Sequence, residues 1–224
     1  MDKPLNVYEQ PRRVRPVLKA KHLHQFDREF LRASGADPSM SVLEVGCGTG
    51  IFLRYLVRRG FSHILAIDSD AGLAPVLDDL EAVDIRLTDA AAVIGALPPA
   101  SVDRIVLFDV AEHIPLDALC ALMRGLKPLL APGGRIVLRV PNCSSPWGMK
   151  VYFGSFDHVT AFTPERVEEL AAATGFRVVR QFGSDTGTGL RKLAQTILHW
   201  ALSHCLVYRP DYWEVCLVAV LEPN

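Results

Sequence analysis

Val42-Leu43-Glu44-Val45-Gly46-Cys47-Gly48-Thr49-Gly50-Ile51 decides how this 224-residue chain is read. A short, mainly apolar strand runs into a turn holding three glycines, and apolar residues at helical spacing follow over 51–59, up to Gly60. That strand–turn–helix context is what makes a glycine-rich turn informative. Glycine takes positive φ without penalty and lets a ligand approach the backbone. The helix start offers N–H groups that lack intrahelical partners. The spacing is G-x-G-x-G, one residue tighter than the dinucleotide pattern, because position 51 is Ile. With Glu44 just ahead of it, so tight a turn suits a ligand carrying a cationic group better than a pyrophosphate.

Working outward, the pattern is strand, turn, helix, repeated. Upstream, Val14, Val17, Leu18, Phe26, Phe30 and Leu31 predict an amphipathic helix stopped by Gly35 and Pro38. Downstream, strands are expected over 64–67, 85–88, 102–108 and 135–140, with a weak helix over 71–80. Leu116, Leu119, Met123, Leu126 and Leu130 mark the clearest helix, opened by Pro115 and ended by Pro132-Gly133-Gly134. Thr163-Pro164-Glu165 starts another, running to Thr174 and closed by Gly175. Alternation at Phe176, Val178 and Phe182 predicts a strand, followed by a helix over 190–204 and a last strand over 213–221. Alternating strands and crossover helices predict a doubly wound α/β sheet, with an antiparallel finish where the crossover pattern lapses. The expected organisation is one domain over 1–224: an arm and helix over 1–38, a core over 39–182, a helical insertion over 183–212 and a last strand over 213–224.

Composition narrows the function. Lys and Arg number 24 and Asp and Glu 25, a net charge of −1, and the pI is about 6.6. That balance excludes a globally basic nucleic-acid binder and an acidic disordered tail. Polar residues after Met1 (Asp2, Lys3, Asn6, Glu9, Gln10) predict no signal peptide. The apolar stretch over 197–207 is interrupted by His199, Ser203 and His204 and is too short to span a bilayer. Cys47, Cys120, Cys143, Cys205 and Cys216 show no C-x-x-C pair, which predicts reduced thiols and a cytoplasmic protein.

Three further features sit where α/β folds bind ligands. Asp68 ends the second strand twenty residues after Gly48, placed to accept hydrogen bonds from ribose hydroxyls. Asp89 follows the third strand; an adenine contact and a helix cap are both open readings. Phe108-Asp109-Val110-Ala111-Glu112-His113-Ile114 forms a polar cluster beyond the fourth strand.

Glu44-Val45-Gly46-Cys47-Gly48-Thr49-Gly50, Ala66-Ile67-Asp68, Val102-Asp103-Arg104-Ile105-Val106, Ala111-Glu112-His113-Ile114 and Leu130-Ala131-Pro132-Gly133-Gly134-Arg135 together resemble the class I S-adenosylmethionine-dependent methyltransferases. The resemblance runs from about Ser41 to Phe182, with the motifs in order. It implies a Rossmann-like seven-stranded sheet of order 3-2-1-4-5-7-6, the seventh strand antiparallel, with the helical N-terminal extension added. It also implies that the Gly46–Gly50 turn, including Cys47 and Gly48, packs on the methionine part of the cofactor, with Glu44 at the pocket edge. Asp68 would hold the ribose, Asp89 and Ala90 the adenine, and Phe108 and Asp109 the floor beside the substrate, with Ser69 also in the cofactor-binding set. Pro141-Asn142 and the 156–164 segment, Phe156-Asp157-His158-Val159-Thr160-Ala161-Phe162-Thr163-Pro164, look like the small-molecule branch, where this segment faces the acceptor.

Methyl transfer from a sulfonium is an in-line displacement, so catalysis is largely positioning of the nucleophile. A hydroxyl acceptor also benefits from a base within reach. His158 is the first candidate, with Asp157 expected to orient it and His113 as second choice; a loop-holding role for His158 stays open. S-adenosylhomocysteine would be the product, and the acceptor a small molecule. The lack of an N-P-P-Y-type tetrapeptide after the fourth strand argues against DNA or amide nitrogen as the acceptor, and the charge balance argues against RNA. No metal is expected, since nothing completes a site with His22-x-His24. The basic run Arg12, Arg13, Arg15, Lys19 and Lys21 reads as a solvated face. The helix after Leu190 could serve as lid, homodimer face or membrane-surface contact, with core packing as the default. A nicotinamide-binding oxidoreductase and a non-catalytic cofactor-binding scaffold are the competing classes.

Overall fold

Parallel pairing of short strands, four to seven residues long, sets the first half of the sheet. In the computed structural model, which describes residues 14–185, 187 and 189–224, β1 (Val42–Val45) runs parallel to β2 (Ile64–Asp68) and to β4 (Val102–Phe108). β3 (Asp84–Leu87) pairs parallel with β2. The remaining strands are β5 (Leu130–Pro141), β6 (Phe176–Ser184) and β7 (Cys216–Pro223). The sheet has seven strands in the order β3-β2-β1-β4-β5-β7-β6. β7 is antiparallel to both β5 and β6, so the expected order and the antiparallel finish are found. A register shift between Val178 and Arg180 bends β6, which twists a sheet edge away from stray pairing.

The chain divides into two compact units, Met1–Leu107 with Gly125–Arg135, and Phe108–Arg124 with Ile136–Asn224. In the first, an aromatic cluster ties the N-terminal helix down. Phe26 and Phe30 each meet the Phe52 ring at 5.1 Å, edge-on, and both are almost fully buried. Asp27 accepts from the Tyr55 hydroxyl at 3.0 Å and pairs with Arg59. This helix is shorter than its apolar pattern predicts. It begins at Ala20 and passes through a π-helical turn, Asp27–Leu31, before Gly35 stops it in a left-handed conformation. Val14, Val17 and Leu18 precede it, the first two exposed; Pro16 disfavours helix at Arg15, which accounts for Val14 lying outside but not for Val17 and Leu18. His22 completes the helix start, its Nδ1 accepting from the Lys19 N–H at 3.2 Å. Of the basic run, Arg15 pairs with Asp78 and Asp79, while Arg12 and Arg13 lie outside the described residues.

Other boundaries also shifted. The weak helix over 71–80 is a 3₁₀ turn, Ala71–Leu73, followed by one α turn, Ala74–Leu77. Helices Ala90–Ala96 and Pro146–Tyr152 carried no periodic signal strong enough to find. The last strand starts at Cys216 rather than 213, since Trp213 is used for its side chain and its carbonyl.

In the second unit, Gly189–Cys205 is a helix with no buried residue, which corrects the core-packing default for this segment. Leu190, Leu193, Ile197, Leu198 and Trp200 are all exposed. His199 helps anchor it, stacking on Trp213 at 4.9 Å and lying over Trp147 at 6.2 Å, and Ser203 Oγ accepts from Trp213 Nε1–H at 2.8 Å. Trp147 Nε1–H donates to His199 Nε2 at 2.9 Å, which requires the ring nitrogen to be unprotonated. Burial lowers the His199 pKa below its ordinary value of 6.5, reinforced by Lys192 and opposed by Glu214 and Asp185. A histidine with a lowered folded-state pKa contributes stability above its unfolded value and loses it as pH falls. Tryptophan fluorescence should therefore be flat above about pH 6.5 and report loosening of this helix below it, with the transition abolished in His199→Gln.

Candidate functional site

The glycine turn is built by hydrogen bonds to the neighbouring strand. Gly46 and Cys47 N–H groups both donate to the Ile67 carbonyl, at 2.7 and 3.1 Å. Gly46, Gly48 and Gly50 all have positive φ (78°, 51° and 75°), a run that L side chains resist. The Gly48 N–H donates to Asp68 Oδ2 at 2.8 Å, and Asp68 Oδ1 accepts from the Asp70 N–H at 2.9 Å. Asp68 thus holds the turn, and its oxygens retain further lone pairs for a ligand. Gly50 starts helix Ile51–Arg58, and a Cβ there would meet Leu77 Cδ2 at 2.6 Å; a Cβ on Gly48 would meet nothing within 4 Å. The open side of the turn is at Gly48.

Glu44 is buried at 3% exposure, two residues before the turn begins at Gly46. Burial, with Glu44 and Asp68 adding to it, pushes the Cys47 thiol far up, so Cys47 is an inert small residue here. Ser69 and Asp89 are exposed. Asp89 Oδ1 accepts from Ala91 and Ala92 N–H at 2.9 and 3.2 Å, capping the helix that starts at Ala90; Oδ2 is left for another donor or solvent. Both readings of Asp89 therefore survive.

In the second unit, the chain leaves β4 through a strained corner. Asp109 has φ +56°, an uncommon state for a non-glycine residue. Its N–H donates to the Arg139 carbonyl at 2.9 Å, and Arg139 Nε returns a bond to Asp109 Oδ1 at 2.9 Å. The same guanidinium lies over the Phe108 ring at 4.6 Å. Arg139 was not among the sequence candidates; its place on β5 beside this corner arises from pairing that no local pattern encodes.

The turn Ala111–His113 follows, and a second segment is laced to it. Val159 and Thr160 N–H groups donate to the Glu112 carbonyl at 2.8 and 3.1 Å. Thr160 Oγ1 donates to the Ile114 carbonyl at 2.7 Å. This lacing brings His113 and His158 together, ring centroids 4.7 Å apart and edge to face. His158 Nδ1 lies 2.8 Å from the Tyr152 carbonyl, with the Tyr152 ring stacked on the imidazole. Asp157 faces His113, its Oδ2 and carbonyl each 3.3 Å from Nδ1. The expectation that Asp157 orients His158 is corrected: the turn at 156–157 sets Asp157 against His113, while His158 just beyond it is held by the Tyr152 carbonyl. Since a carbonyl can only accept, His158 Nδ1 carries the proton and Nε2 keeps the lone pair.

Glu112 is the residue whose chemistry the sequence concealed. It is 2% exposed, and burial, helped by Asp109 and Asp157 and opposed by Arg139, pushes its carboxyl up to about 8. Asn142, after β5, ties the surrounding loops. Its Nδ2 donates to Tyr212 and Glu214 carbonyls, and its Oδ1 accepts from Ser144.

Comparison with known proteins agrees with this arrangement. The family model described as a methyltransferase domain matches residues 18–181, which run through both units. A relative, the ubiquinone biosynthesis O-methyltransferase of Xanthomonas campestris pv. campestris (strain B100), is 34% identical over 119 residues, 51% of this chain and 48% of that protein. The match spans about half the length of that curated relative. Among solved structures, a SAM dependent methyltransferase from Archaeoglobus fulgidus superposes with a TM-score of 0.69 at 17% identity, covering 89% of this chain and 91% of that one. The Burkholderia thailandensis 1,6-didemethyltoxoflavin-N1-methyltransferase, solved with S-adenosylhomocysteine, gives 0.56 at 18%, covering 83% and 72%. At such identities these structures speak for the fold.

The two glycines separate turn stability from turn access. Gly48→Ala should cost about 1–2 kcal/mol through backbone strain alone. Gly50→Ala should cost about 1–3 kcal/mol more through collision with Leu77 and Leu80. Denaturant unfolding of the two variants checks this; equal losses would discount the collision.

Proposed function

The chain belongs to the class I S-adenosylmethionine-dependent methyltransferases, and from that premise we propose that it transfers a methyl group from this donor to an oxygen or nitrogen of a small molecule. The observation that carries the reading is the Gly46–Gly50 turn, three positive-φ glycines of which the middle one donates to Asp68 and leaves its Cα side open. A bulky donor fits that open backbone, and a buried carboxylate at Glu44 suits its cationic end. S-adenosylmethionine, when bound, supplies an electrophilic methyl group on a sulfonium.

The chain's own residues divide the remaining work. The Gly46–Gly50 turn and Glu44 would take the methionine part, Asp68 the ribose, and Asp89 and Ala90 the adenine. Ser69, Phe108 and Asp109 belong to the same proposed set. His158 is the proposed base for a hydroxyl acceptor, because its Nε2 lone pair is preserved by the Tyr152 carbonyl; His113 is the second. The name of the Xanthomonas relative favours oxygen, and that of the Burkholderia enzyme favours nitrogen on a small ring. We treat residues 1–224 as one methyltransferase domain. Five free thiols support a cytoplasmic setting, and among the described residues no helix is long and apolar enough to cross a membrane. The exposed apolar side chains of Gly189–Cys205 support a homodimer.

Calorimetric titration with S-adenosylmethionine, S-adenosylhomocysteine and NADH tests the donor. Binding of the first two without the third is expected, and NADH binding alone would overturn the reading. Asp68→Ala should weaken donor binding by about 1–3 kcal/mol, because ribose hydroxyls lose a charged acceptor; unchanged affinity would remove that role. His158→Ala should lower turnover of a hydroxyl acceptor by roughly 10²–10⁴-fold while leaving donor affinity within about twofold.

A further inference from the structure

Glu112, His113 and His158 share one small space, and each offers a ligand atom within 4.8 Å of the others. Imidazole and carboxylate are both ligand types that metal centres use. Two imidazoles and one carboxylate make up the His₂Glu set of catalytic zinc sites, with further positions left on the ion. The same donor set serves open-coordinate iron.

Three independent features point the same way. Both rings are anchored through Nδ1, His158 on the Tyr152 carbonyl at 2.8 Å and His113 on Asp157 at 3.3 Å. Anchoring of that kind leaves Nε2 as the coordinating atom, and a carboxylate behind a ligand histidine raises its basicity. Glu112 Oε2 is buried and has no hydrogen-bond partner among the described residues. A buried polar atom without a partner costs free energy, and here a cation would relieve it. Finally, the backbone is pinned on both sides of the cluster by the bonds from Val159 and Thr160 to the Glu112 carbonyl, so the ligands come from a preformed frame.

We propose that Glu112, His113 and His158 bind a divalent cation of the zinc class, with Asp157 and the Tyr152 carbonyl orienting the two histidines. A four-coordinate ion wants its ligand atoms about 3.4 Å apart, given bonds of about 2.1 Å, so occupancy draws the three side chains inward. The inference goes beyond methyl transfer and does not depend on the donor. It does redirect His158: where the ion is bound, the Nε2 lone pair serves as a ligand instead of a base.

The test uses the full chain stripped with EDTA and titrated calorimetrically with Zn²⁺, with Co²⁺ as a visible-absorption probe of coordination. One ion per chain is expected, with Co²⁺ giving ligand-field bands. Glu112→Gln and His158→Ala should each weaken Zn²⁺ binding at least about a hundredfold, and Asp157→Asn about tenfold, as removal of an outer partner does. The double variant His22→Ala/His24→Ala, remote in sequence, should bind as the wild type does. Absence of saturable binding in the wild type, or wild-type affinity in both Glu112→Gln and Asp157→Asn, would overturn the proposal. Donor binding by the same stripped protein, read separately, keeps this outcome distinct from the fate of the methyltransferase reading.

Discussion

The bond from the Gly48 N–H to the Asp68 carboxylate, 2.8 Å long, is the constraint on which the first unit's binding surface depends. It joins a turn that carries almost no side chains to the end of the adjacent parallel strand. Three positive-φ glycines at alternate positions would otherwise leave a loop with large conformational entropy. Gly46 and Cys47 add two bonds to the Ile67 carbonyl, and helix Ile51–Arg58 packs its buried face behind. The result is a rigid backbone with one open side, which is what a ligand needs to find without further ordering cost.

The second unit is organised around a different device, the Glu112 carbonyl that accepts from both Val159 and Thr160. Those bonds set a histidine from one segment against a histidine from another. They also bury a carboxylate with an elevated pKa between them. Structural packing alone gains little from an unsatisfied buried acid. Perturbed groups of this sort gather at functional sites, and the anchored Nδ1 atoms give this cluster directional chemistry as well.

Much of the architecture was readable from residues in order. The apolar strands over 42–45 and 102–108, the Pro164–Thr174 helix with its Thr163 and Gly175 boundaries, and the G-x-G-x-G turn all depend on local propensity and capping. Tertiary context overrides local pattern elsewhere. Val14 and Val17 continue the apolar spacing of the first helix yet stand exposed ahead of it. The short helices Ala90–Ala96 and Pro146–Tyr152 rest on caps from Asp89 and Ser145 more than on periodicity.

Fold class, motif order and the set of residues able to carry chemistry are legible in the order of the residues, because strands, turns and caps are encoded within a few neighbours. Which of those residues act together is a matter of tertiary contact. Asp157 faces His113 rather than His158, Arg139 reaches Asp109 from another strand, and Glu112 loses water. Partner choice and desolvation depend on segments that are tens of residues apart, and they exist once the chain has closed those distances.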